Sequence, residues 1–306
     1  MTKYAMKRLL AGIPTLLGIA TLVFLMMQLL PGDPASVMLG FSATEERANA
    51  LREQLGLNDP LFTQYVRYLA GLVQGNLGRS FSTQMPVTDL ILERIPATAE
   101  LALAGLLFSS VVGIVIGVTS ALHRDTWFDS GGMFVALLGV SVPGFWLALL
   151  LILTFSVRLG WLPITGTGGI ARLILPAFAL GFQVTGIVTR LARSSMLEVL
   201  DQDYVRTAYA KGLKQSVVLY KHALRNAMIP VITVLGLQFG RLLGGSVIIE
   251  SVFGREGIGR LLVDAILAQD IQLVQGTVMV TASVYVLVNI LVDLSYAFFD
   301  PRVRYD

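Results

Sequence analysis

The chain has 306 residues, 55% of them hydrophobic and only 14% charged, with 23 Lys and Arg against 20 Asp and Glu and a mean hydropathy of +0.72. Soluble chains carry about 25% charged residues, so this composition excludes a water-soluble domain. The lack of any Cys excludes a disulfide scaffold, a thiol nucleophile and Cys-ligated metal, and two His argue against a His-rich metal site. The formal net charge of +3 is read as basic loops of a membrane chain, not as a nucleic-acid partner.

Apolar residues fall into blocks of about 20, the length a helix needs to cross a bilayer core. Six spans are predicted, at 9–30, 97–122, 133–156, 171–192, 229–250 and 277–298. Lys3, Lys7 and Arg8 resemble the positive start of a signal peptide, but the apolar stretch is too long and no small-residue cleavage site follows. An uncleaved first span is the expectation.

Between the first two spans, 31–96 reads as a helical insert. Ser42 to Glu45 has capping-box spacing and Gly56 closes TEERANALREQLG. Asp59-Pro60 reads as an N-cap with a first-turn proline, opening a helix with Leu61, Tyr65, Leu69 and Leu72 on one face. Pro86 opens a third helix, with Val87, Leu90 and Ile91 turned toward the membrane surface or the bundle. Composition is compatible with an external docking element and with a plain packed cap.

Placing the N-terminus inside puts thirteen basic and seven acidic residues on the inner side, and nine basic and twelve acidic on the outer. Lys and Arg bias sets topology, so the expected arrangement is N-in and C-in, an all-α polytopic membrane protein with 31–96 and the Gly-rich 251–276 outside.

Catalytic signatures are missing. There is no HExxH, no GxSxG and no GxxxxGK[ST], so neither an intramembrane protease nor an ATP-binding P-loop is expected. Two ionisable residues fall inside spans, Arg241 and Asp293, with Gln238 and Asn289 one turn away respectively. Such groups cost at least about 2.5–3.5 kcal/mol in lipid. Gln238, Arg241 and Asp293 are therefore candidate pathway-lining residues or helix–helix ties, and an ion-coupled secondary carrier, the alternative reading, would have little else to use.

The long inner segment 193–228 is the most specific part of the chain. Tyr204 to Lys211 favours a helix with small residues at Thr207, Ala208 and Ala210, Gly212 permits a sharp turn, and a second helical piece runs from about Ser216 to Ala227. Small residues beside Gly suit a short helix that sinks into a groove on another protein. A membrane-surface amphipathic helix is an equal reading on these grounds.

RTAYAKG, nine residues, then HALRNAMIP resembles the coupling loop of permease subunits in binding-protein-dependent ABC importers, in the form of the dipeptide, oligopeptide, glutathione and nickel subfamily. KRLLAGIPTLLGIATLVFLMMQLLPGDP, LGLNDPLFTQYVRYLAGLVQGNLGRSF, LGVSVPGFWLALLLILTFSV and DPRVRY are similar as well. FGREGIG and QDIQLVQG depart from that pattern.

The resemblance implies a type I importer bundle in the bacterial inner membrane, without its own ATP site, metal or cofactor. It implies a second homologous permease, two cytoplasmic ATPases carrying ATP and Mg, and an extracytoplasmic solute-binding protein. Arg206, Thr207, Ala208, Ala210, Lys211, Gly212, His222 and Arg225 would couple to the ATPases. The solute would be a peptide or a similar small molecule.

Overall fold

A computed structural model describes residues 2–29, 34–39 and 44–299, and these carry helices and no strand. Five helices are long and apolar enough to cross a membrane, and a bent pair makes a sixth span. The long helices are α1 (Thr2–Leu29), α5 (Val87–Leu122), α8 (Ala171–Leu200), α11 (Leu224–Val252) and α13 (Ile271–Phe299). Shorter ones lie between: α2 (Pro34–Leu39), α3 (Glu45–Leu55), α4 (Leu61–Val73), α6 (Trp127–Ser141), α7 (Gly144–Leu151), α9 (Asp203–Ala210), α10 (Gln215–Val217) and α12 (Ile258–Leu267).

Three expectations are corrected. The span predicted at 133–156 is broken: α6 and α7, the latter prolonged by a π-helical turn to Arg158, meet at 106°. Pro143 has no N–H to donate, and Val142 before it is extended (φ −83°, ψ 123°), the conformation a following proline imposes. The helix opening at Pro86 and the second span are a single 36-residue helix, α5, which runs through Pro96. The piece expected at about Ser216 to Ala227 continues as one helix from Gln215 to Val252, with a π turn at Val218–Ala223.

Chain contacts divide the protein into two compact units, 1–96 with 257–287, and 97–256 with 288–306. In the first, α4 lies on α1. The Tyr65 hydroxyl shares a 2.6 Å hydrogen bond with Thr21, and the rings of Tyr65 and Tyr68 pack on Phe24 at 5.3 and 5.9 Å. Gly56 ends α3 in the left-handed conformation, as its position anticipates. Ser42 and Ala43 of the capping box lie outside the described residues, and Thr44 makes no side-chain cap bond. Asp59 is not the N-cap of α4. Pro60 takes that place and the Asp59 carboxylate holds Arg67 at 2.5 Å. Val87, Leu90 and Ile91 are buried with Ala265 and Leu273, so this turn of α5 faces the bundle.

Asp270 pins the same unit together. Its carboxylate accepts hydrogen bonds from the Ser80 hydroxyl (2.6 Å), from the Ser82 N–H and hydroxyl (3.0 and 2.9 Å), and from the Leu273 N–H (3.1 Å). Burial opposes ionisation there, but these donors outweigh it and hold the carboxyl below the usual carboxylate range.

In the second unit α8 is the hub, with Val184, Val188 and Ala192 in a core shared with Leu101, Leu151, Leu242 and Phe253. Backbones touch along it: a Cβ on Gly181 would lie 2.6 Å from the Gly105 carbonyl oxygen, and one on Gly186 would collide with that of Ala136. Lipid offers no hydrophobic drive for helices to associate, so close approach through small residues supplies the packing. Outward faces stay apolar and exposed, as at Leu103, Leu107, Val111 and Val115 on α5.

Candidate functional site

The segment 203–226 is built from two helical pieces around one glycine. Gly212 adopts φ +75°, its N–H bonds to the Tyr209 carbonyl (2.9 Å), and the Leu213 N–H bonds to that of Ala208 (3.4 Å). This is a Schellman closure of α9, which only a residue tolerant of positive φ completes without strain. A Cβ at Gly212 would meet open space, so the demand for Gly is conformational and not steric.

Spacing then sorts the faces. Val205 and Ala208, three residues apart, turn inward and form a small core with Val218, against Val199 and Leu200. The Tyr204 hydroxyl accepts a 2.8 Å hydrogen bond from Asn226 and ties α9 to α11. On the other face Arg206, Thr207, Tyr209, Ala210, Lys211 and Gly212 are exposed, Tyr209 to 43%. Ala208 differs from the others of this group: it is 8% exposed and packs on its own chain. His222 is half-buried in the π turn and Arg225 is exposed in the first turn of α11.

Of the candidate pathway residues, Gln238 and Arg241 lie in different surroundings. Gln238 is buried at 7% exposure, whereas Arg241 on the same helix is exposed. Asp293 belongs to α13, and its side chain lies outside the described residues.

Two charge clusters had no local signal in the sequence. Arg193 on α8 grips Asp129 on α6 through both carboxylate oxygens. Arg255, fully buried, holds Glu100 at 2.9 Å and the Arg172 carbonyl at 3.3 Å, and nearby the Thr98 hydroxyl donates to buried Glu250 at 2.7 Å. Arg255 lies in the FGREGIG departure noted above. Its partners are 83 and 155 residues distant in sequence, beyond the reach of any periodicity.

Family models match nearly the whole chain. "Binding-protein-dependent transport system inner membrane component" covers residues 113–305, and the corresponding N-terminal model covers residues 1–102. The chain is 43% identical to the dipeptide transport system permease protein DppB of Alkalihalophilus pseudofirmus and 44% identical to the glutathione transport system permease protein GsiC of Salmonella paratyphi A, each over all of both chains. The fold is similar to a chain of the inward-facing MetNI methionine ABC transporter, with TM-score 0.59 and 15% identity over 69% of this chain and 96% of that one. The chain is a multi-pass inner-membrane permease and belongs to the binding-protein-dependent transport system inner membrane component family.

Proposed function

We propose that the permease works as one of a pair with a second homologous subunit, driven by two ATPases that carry ATP and Mg, and imports short peptides handed over by a binding protein. Relatives named for dipeptide and glutathione transport, matched end to end, support the solute class. Segment 203–226 is the coupling element, on the cytoplasmic side. ATPase movement is transmitted through α9 to α11, because α9 is fastened at Val205, Ala208 and the Tyr204–Asn226 bond and cannot slide independently. Gln238, Arg241 and Asp293 are kept as pathway candidates, and Arg241, which is exposed, would attract a carboxylate if it faces the pathway.

The observation that carries this reading is the exposed row Arg206, Thr207, Tyr209 and Lys211 on a helix anchored from behind. The chain has no Cys, so a single cysteine at Thr207 or Lys211 is a unique crosslinking handle. A crosslink from Thr207→Cys to a nucleotide-binding subunit that changes in yield with ATP is the expected result. A folded, inserted chain that captures no ATPase from its native membrane would overturn it.

A further inference from the structure

The first unit contains a cavity of about 850 Å³, walled by α1, α4, the 76–81 loop and the first turns of α13. That is within the range of small-molecule sites, about 300–1,000 Å³. Its lining is unusual in kind. Six carboxamides face it, and among the described residues no carboxylate does. Gln275 lines it and is only 8% exposed. The Tyr68 hydroxyl is buried and has no hydrogen-bond partner among the described residues. A folded chain rarely leaves such a group unpaired, so it points to something that enters and pairs with it.

The chemistry of the lining selects the occupant. A carboxamide presents a donor and an acceptor together, which matches a peptide group whatever side chains flank it. Arg52 and Arg67 supply guanidinium donors. Asp59, the acid at Arg67, is already held by it at 2.5 Å, so an incoming carboxylate meets donors and no free like charge. Burial, with Tyr65 beside it, pushes the Tyr68 hydroxyl up to about 12, which keeps it a proton donor at neutral pH. Phe24, Met27, Leu72 and Phe81 give an apolar wall for side chains.

We infer that this cavity is a subsite for a short peptide: Gln272 and Gln275 pair with its amides, and the Tyr68 hydroxyl and Arg67 receive its free terminal carboxylate. The inference rests on the peptide-importer reading and deepens it. Lys and Arg bias assigns α4 and the start of α13 to the outer side, so the cavity receives peptide before translocation.

The test uses the full chain in nanodiscs with a cysteine at Leu72, a cavity-wall position, labelled by a small maleimide. Trialanine is the probe. At about ten times its Kd it should slow labelling about tenfold, and Leu61→Cys, away from the cavity, should label at an unchanged rate. Trialaninamide should protect far less. Adding Tyr68→Phe or Gln275→Met to the Leu72→Cys chain should remove the protection. Unchanged labelling in trialanine overturns the subsite, as does equal protection by the amide or protection by anionic lipid alone. ATP-driven uptake of trialanine by the assembled complex is measured alongside. Uptake without protection defeats the subsite and leaves the importer standing, whereas lack of any ATPase partner defeats the importer reading itself.

Discussion

Arg193 and Asp129 form a two-pronged ion pair, Nε to Oδ1 at 2.5 Å and Nη2 to Oδ2 at 2.6 Å, that joins α8 to α6. Asp129 is 5% exposed and also accepts the Asp125 N–H at 3.1 Å, which fixes the turn entering α6. Parallel donors from a planar guanidinium give this contact a geometry that Lys cannot reproduce.

Removing either partner strands the other. Asp129→Asn or Arg193→Gln should lower stability by about 3 kcal/mol, the low end for a buried pair because the Arg193 side chain keeps 24% exposure. The double variant Asp129→Asn with Arg193→Gln should cost less than the two single losses added. Thermal unfolding in detergent checks this, and additive losses would show that the pair is not coupled.

The glycine contacts of α8 make a sharper demand. Gly186→Ala places a Cβ against the Ala136 backbone, an atom that cannot swing aside, and should cost about 1–3 kcal/mol. Gly244→Ala, where a Cβ meets nothing within 4 Å, is the control and should be neutral or slightly stabilising. Folded yield and melting temperature report both.

Gly212 is tested through its backbone. Gly212→Val should abolish peptide-stimulated ATP hydrolysis of the assembled complex while leaving membrane insertion intact, since the site is open and only the turn is lost. Gly212→Asn should retain most of that activity, because Asn tolerates positive φ. Equal behaviour of the two variants would argue against the turn as the active feature.

Asp270 ties the 78–86 loop to the start of α13 only while it is ionised. Its folded pKa is depressed below the unfolded value of about 3.9, so the stabilisation is complete above that pH and is lost as pH falls through the lower folded value. Hydrogen exchange at Ser80 and Ser82 should therefore stay slow from neutral pH to about 4, after allowance for intrinsic rates, and rise in stronger acid. Asp270→Asn should show the fast exchange already at neutral pH.

Gln269 ends α12 at φ +54°, where its N–H bonds to the Ile266 carbonyl and the Asp270 N–H to that of Ala265. A side chain in this conformation is strained by about 1 kcal/mol, so Gln269→Gly should raise the melting temperature in detergent slightly. A lower melting temperature would mean that the Gln side chain makes a contact worth more than the strain.

Local signals carried much of this protein. Blocks of about 20 apolar residues located the helices, because the bilayer makes length and hydropathy sufficient, and Gly56 and Gly212 ended theirs because no other residue closes a helix so readily. Segment 203–226 was legible for the same reason, as a short helix, a left-handed glycine and a second helix written in consecutive residues. Tertiary structure alone decided the rest. It turned Ala208 inward against Val218, joined Asp129 to Arg193 across 64 residues and gathered Tyr68 and Gln275 around one cavity. Each of those depends on which distant helix supplies the partner, and a pairing between remote side chains leaves no period or spacing in the chain that makes it.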